Sequence, residues 1–132
     1  MLNILIVDDM DFVHPSVESF LKIYVFEGIP FSITNSYNLT QAKRFLSEKQ
    51  FGLVMLDGDV GNGWGYEIIP DILQHNSDVK IVSISNHDDF NLKNVEHGAH
   101  EAVNKINLYD WNDEKKEYRT QKGSLIRNLF VT

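Results

Sequence analysis

Cysteine is absent from the 132 residues. That excludes a disulfide framework and a thiolate metal site. Basic residues are scarce: 12 Lys and Arg stand against 19 Asp and Glu, for a net charge of −7. A nucleic-acid surface needs clustered Lys and Arg, so direct nucleic-acid binding is not expected. A small anion or a metal is not excluded, because local charge decides those. No apolar run approaches the length of a membrane span. The opening MLNILIVDD is too short and too soon acidic for a signal peptide. Internal repeats, low-complexity segments and a linker to a second domain are also missing. The expectation is a soluble, cytoplasmic protein that does not bind a membrane.

The content that remains suffices for a core: 42% of the residues are apolar, with eight Phe and two Trp. The length suits a single domain over 1–132. Leu53 to Leu56 is an uncharged apolar run, which fits a strand buried on both faces. It stops at Asp57, and Gly58, Asp59, Gly61, Gly63 and Gly65 follow. Desolvating a charge costs several kcal/mol, so Asp57 is expected outside the sheet, at the strand's carboxyl end. Open α/β sheets place ligands there. By itself the segment is equally a pair of Asp residues capping a turn.

Leu2 to Val7 repeats the pattern and stops at Asp8 and Asp9. Val13, Val17, Phe20, Leu21, Tyr24 and Val25 form one helical stripe with Pro15 in its first turn; Gly28 ends that helix. Phe31 to Thr34 is a second strand, and Asn38 caps a helix reaching about Gln50. Tyr66 to Gln74 is a third helix whose Pro70 predicts a late or bent start. Val79 to Ile84 is a fourth strand ending in Ser85. Asp88 to His97 is a short, weak helix on Phe90, Leu92 and Val95, closed by Gly98. Glu101 to Asn104 is a fifth strand ending at Lys105. Residues 107–119 read as an atypical loop with at most a helical turn, and 120–131 as the last packing helix. Alternating strands and helices predict a flavodoxin-like (βα)5, doubly wound α/β fold. Its five parallel strands take the order 2-1-3-4-5, with a crevice between strands 1 and 3.

In such a sheet Asp8, Asp9, Asp57, Ser85 and Lys105 meet at one edge. Clustered carboxylates repel, and a hard divalent cation such as Mg²⁺ offsets that with few protein oxygens. The set suits phosphoryl transfer to a carboxylate: Asp57 attacks in line, while Mg²⁺, Lys105 and Ser85 hold the phosphoryl oxygens. Each residue also has an ordinary use, as helix cap, turn serine or solvated lysine. Their coincidence at four strand ends favours the site.

The segments ILIVDDMD, LVMLDGDVGNGWG, IVSISN and GAHEAVNK, across residues 2–106, resemble the signature segments of response-regulator receiver domains. The resemblance implies a chemotaxis-type single-domain receiver of a two-component system. Asp57 is then the phospho-acceptor, Asp8 and Asp9 the acidic pair serving Mg²⁺, and Asp59 a metal ligand through its backbone carbonyl. Ser85 matches the switch hydroxyl, Lys105 the phosphate-contacting lysine and Gly65 the glycine after the phosphorylation loop. A histidine kinase or histidine phosphotransfer protein is the implied donor. A downstream protein partner, or an output domain outside this chain, receives the signal. Such a protein is not an enzyme, apart from catalysing its own phosphorylation and dephosphorylation.

Four positions depart from the family pattern. Gly61 replaces a loop proline, Ile106 replaces the proline after the lysine, and Ala102 replaces the switch aromatic. The 107–119 insertion has no counterpart, and its aromatics Tyr109 to Tyr118 are expected at a partner contact or a homodimer contact. His87 lies either over the phosphate, in reach of an attacking water, or exposed on its loop. The alternatives are a pseudo-receiver that binds without phosphorylation and a haloacid-dehalogenase-like phosphatase using Asp57 and Asp59. The latter family carries its motif on the first strand, with the acidic pair downstream instead of upstream. DGDVGNGWGYE also resembles a calcium loop in its first and third positions only, with Gly61, Asn62 and Ile68 unsuited to the later ones.

Overall fold

The apolar runs Leu2 to Val7 and Leu53 to Leu56 take inner places in a five-stranded parallel sheet, where both faces are covered. The structure, a computed structural model, describes residues 1–109 and 111–131. The strands are β1 (Leu2–Val7), β2 (Phe31–Ser36), β3 (Leu53–Asp57), β4 (Lys80–Ser85) and β5 (Glu101–Asn104). Their order is β2-β1-β3-β4-β5 and every pairing is parallel, as expected. The helices are α1 (Val13–Phe20), α2 (Leu39–Glu48), α3 (Ile69–His75), α4 (Asp88–Glu96), α5 (Ile106–Tyr109) and α6 (Lys116–Asn128).

Strand pleating sends alternate residues to opposite faces. Ile4, Ile6, Leu53, Met55, Val82, Ile84 and Val103 pack with α1 and α6 on one face. Leu5, Val7, Val54, Leu56 and Ile81 pack with α2 and α3 on the other. The same parity carried one step further puts Asp8, Asp57 and Lys105 together on the α1 and α6 side.

Several elements differ from the sequence expectation. Asp57 is within the sheet, as the last residue of β3 opposite Ile84, and only 4% exposed. The first helix changes at Leu21 to a π-helical turn reaching Val25, where the amide of Phe26 donates to Leu21 O at 2.8 Å. Pro70 does delay the third helix: a 3₁₀ turn (Gly65–Ile68) comes first, and Pro70 sits in the first turn of α3. The stretch read as a loop over 107–119 is largely helical, holding the end of α5, a 3₁₀ turn (Asp113–Lys115) and the start of α6. Asp110, within that stretch, lies outside the described residues.

α4 is inverted. Leu92 and Val95 are 60% and 42% exposed, while Asn91 and Asn94 are buried. The cause is Ser83 beneath it, whose hydroxyl donates to Asn91 Oδ1 at 2.6 Å and accepts from Asn94 Nδ2 at 2.9 Å. A buried hydroxyl without partners is costly, so the helix turns its amides inward.

α6 crosses the π-helical turn at Gly123, where a Cβ would lie 2.2 Å from Tyr24 O. Gly123→Ala should therefore destabilise the protein by about 1–3 kcal/mol, although alanine favours an isolated helix. Urea denaturation reads the change, and an alanine variant of equal or greater stability would show that the two elements are not packed this closely.

Candidate functional site at the carboxyl edge of the sheet

β1 and β4 flank β3, so the loops that follow them wall the end of β3 on both sides. Between them is a cavity of about 190 Å³ lined by Asp9, Met10, Asp57, Asp59, Ser85, Asn86, His87, Phe90 and Lys105. Asp8, Asp9 and Asp57 each present a carboxylate oxygen, all within 4.8 Å of one another. Lys105 Nζ lies 3.0 Å from Asp8 Oδ2 and 3.3 Å from Asp57 Oδ1. Its bond to Ile106 is trans, as are all peptide bonds among the described residues, and the lysine reaches both acids from that geometry.

The main chain completes the carboxylates' contacts. Met10 N donates to Asp8 Oδ1 at 2.9 Å, and Gly58 N donates to Asp57 Oδ1 at 2.8 Å. The Asp57 contacts with Gly58 and Lys105 both fall on Oδ1, which leaves Oδ2 for an incoming group. Asp59 Oδ1 accepts from Gly61 N at 3.1 Å. The glycine loop closes with Gly65 N donating to Gly58 O at 2.8 Å. A Cβ on Gly65 would lie 1.9 Å from Asp57 O, so no larger residue fits under the strand end.

Three buried charges of mixed sign shift one another. Burial, then the nearby Asp8, pushes Asp57 up to about 7, and Lys105 offsets only part of this. Burial also raises Asp8, against the pull of Lys105 and the Met10 amide. Burial disfavours the charged form of Lys105, but Asp57 and Asp8 more than offset that and hold its pKa above the ordinary lysine value. Carboxyls held up by desolvation, and at Asp57 also by the charge of Asp8, suit an added cation. Two buried acids, one exposed acid and a cavity of this size fit a hard divalent ion with oxygen ligands and waters.

Ser85 is buried, and its Oγ accepts from His87 N at 3.1 Å. Its hydroxyl proton stays available to an acceptor in the cavity. His87 lines the cavity and packs edge-on against Phe90, with ring centroids 5.1 Å apart.

The structure adds residues that sequence reasoning missed. His14 is buried, with Nε2 2.8 Å from Asp8 O and Nδ1 2.7 Å from Asn35 Oδ1, and so fixes the end of β1. Asn91 Nδ2 donates to Ser85 O and Val103 O, tying α4 to the ends of β4 and β5. His14 sits on the apolar stripe of α1 beside Val13 and Val17, where nothing local distinguishes it from a packing residue. The tail aromatics are engaged within the chain. Tyr118 OH accepts from Asn104 N at 2.7 Å, and the Arg119 guanidinium lies over Trp111 and Tyr24, 4.5 and 5.3 Å from their centroids.

This fold and this acidic edge define an α/β protein built around an aspartate at the end of its middle strand. The family model described as the response regulator receiver domain matches residues 4–108, and the chain belongs to that family. Known structures carry the same fold. A two-component response regulator from Clostridium difficile has a TM-score of 0.70 at 19% identity, covering 99% of this chain and 100% of that one. The Mn²⁺-bound response regulator Rcp1 has a TM-score of 0.72 at 17% identity, covering 100% and 97%. A response regulator from Burkholderia pseudomallei with a phosphorylated aspartic acid, calcium ion and citrate has a TM-score of 0.65 at 16% identity, covering 92% and 73%. No curated protein matches the sequence. Family membership and the placing of the acidic motif on β3 set aside the haloacid-dehalogenase-like reading. Among the described residues no helix is long and apolar enough to cross a membrane.

Proposed function

We propose that residues 1–132 form one phosphorylation-dependent receiver domain whose acceptor is Asp57. The observation carrying this reading is the convergence of Asp9, Asp57 and Lys105 on one cavity, with Asp8 joined to Lys105 from 97 residues away in the chain. Asp57 Oδ2 attacks phosphorus in line. The bond from phosphorus to the donor's imidazole nitrogen breaks, and its electron pair stays on that nitrogen, which takes up a proton. Lys105 offsets the added charge, and the Ser85 hydroxyl donates to a phosphoryl oxygen. Asp8, Asp9, Asp57 and the backbone carbonyl of Asp59 would hold Mg²⁺. Bound there, the ion would supply neutralisation of negative charge during transfer. The donor is a histidine kinase or histidine phosphotransfer protein. A protein partner or an output domain outside this chain reads the product. The complete acid and lysine set favours this reading over a phosphorylation-independent module.

The cation is directly testable. At a free Mg²⁺ concentration about a hundredfold above its Kd, the folded state should gain about 2.7 kcal/mol. A thermal scan with Mg²⁺ and then with excess chelator measures it. Incubation with a small acyl-phosphate donor should add one phosphoryl group by intact mass with Mg²⁺ and none with chelator. No mass increment under either condition would leave the pseudo-receiver.

A further inference from the structure

The loop after β4 is anchored from outside the cavity by the tail. Asn86, between Ser85 and His87, donates from Nδ2 to Tyr109 OH at 2.6 Å, across 23 residues of sequence. The Tyr109 ring meets Phe12 edge-on, with centroids 5.2 Å apart and planes at 74°. Phe12 lies in the loop that follows Asp8 and Asp9. One side chain at the end of α5 therefore touches the loops after both neighbours of β3, on the two sides of the phosphorylation pocket. Ala102, on β5, has no ring or hydroxyl with which to reach this loop.

We infer that Tyr109 is a positioning residue, holding the Ser85–His87 loop in its resting place and transmitting its displacement to the Trp111 segment. The inference rests on the phosphorylation of Asp57 proposed above. An aspartyl phosphate brings about −1.5 to −2 charges into the cavity, and the Ser85 hydroxyl is the donor on that loop free to turn toward it. Movement of Ser85 inward carries Asn86 with it and strains the bond to Tyr109. The bond thus favours the resting state, and its loss shifts the balance toward the phosphorylated arrangement. Trp111, two residues on, senses the change, since its ring packs at a tilt against Tyr24 and lies beneath the Arg119 guanidinium.

The test uses beryllofluoride with Mg²⁺ as a phosphoryl mimic, in a Trp64→Phe background where Trp111 is the remaining tryptophan. Binding should change Trp111 emission. Tyr109→Phe, which deletes only the hydroxyl, should bind the mimic about three- to tenfold more tightly by calorimetry and lose the emission change. Asn86→Ala should do the same, and the double variant should gain nothing further. Asn86→Ala also carries the test alone if Tyr109→Phe fails to fold by circular dichroism. Unchanged or weaker affinity, or an undiminished emission change, overturns the role of Tyr109 and leaves Asp57 as acceptor. A parent protein that does not bind the mimic, or binds it equally well after Asp57→Asn, overturns the phosphorylation reading and this inference with it.

Discussion

Asp57→Asn is expected to abolish phosphoryl incorporation and, in metal-free buffer at pH 8, to make the protein more stable. The first effect follows from loss of the nucleophilic carboxylate. The second follows from burial: Asp57 titrates near 7 in the folded chain, against an ordinary value of 3.8. Between those values the folded state holds a proton that the unfolded state has released. Stability therefore falls as pH rises from about 4 through 7, by at most about 4 kcal/mol. Asp8, raised for the same reason, slopes the same way. Asparagine carries no charge to desolvate, so the variant should lose most of the slope and gain roughly 1–3 kcal/mol at pH 8. Chemical denaturation across pH with chelator present measures both quantities. A variant less stable than its parent at pH 8, with the slope intact, would mean that Lys105 already compensates the acids in full.

Lys105→Met should have the opposite sign. Lys105 is 5% exposed and lies within ion-pair distance of both buried acids. Removing one partner of a buried pair leaves uncompensated charge and costs about 3–5 kcal/mol. The loss should be larger above pH 7, where Asp57 is ionised, than near pH 5, where it holds its proton. Mg²⁺ should restore part of it. Phosphoryl incorporation should slow about a hundredfold or more, as when one charge-stabilising donor is removed from an active site. Equal destabilisation at pH 5 and pH 8 would assign the loss to the packing of the lysine stem.

The fold was legible because its inner strands β1 and β3 are mostly apolar and end abruptly in acids. Leu2 to Val7 and Leu53 to Leu56 announce buried parallel strands, and the residues just after them announce the edge where ligands bind. Asp8, Asp9, Asp57, Ser85 and Lys105 stand out because each interrupts or follows such a run. The rest depends on neighbours far apart in sequence. α4 shows apolar residues that suggested an inward stripe, yet Ser83 on β4 draws Asn91 and Asn94 inward and leaves Leu92 and Val95 outside. The π-helical turn before Val25 is met by Gly123 almost a hundred residues later. The link between Asn86 and Tyr109 joins two residues that no periodicity relates. Asp57 itself was expected clear of the sheet on the cost of desolvation. The structure instead buries it and offsets that cost only partly, through Lys105 and the Gly58 amide.

Under the proposed function Asp57 carries the phosphoryl group as an acyl phosphate. Borohydride reduces an acyl phosphate to an alcohol, so donor-treated, reduced protein should yield homoserine at position 57 on peptide sequencing. The conversion is expected only when Mg²⁺ is present. Homoserine at Asp8, Asp9 or Asp59, or a phosphorylated protein with Asp57 unaltered, would contradict it.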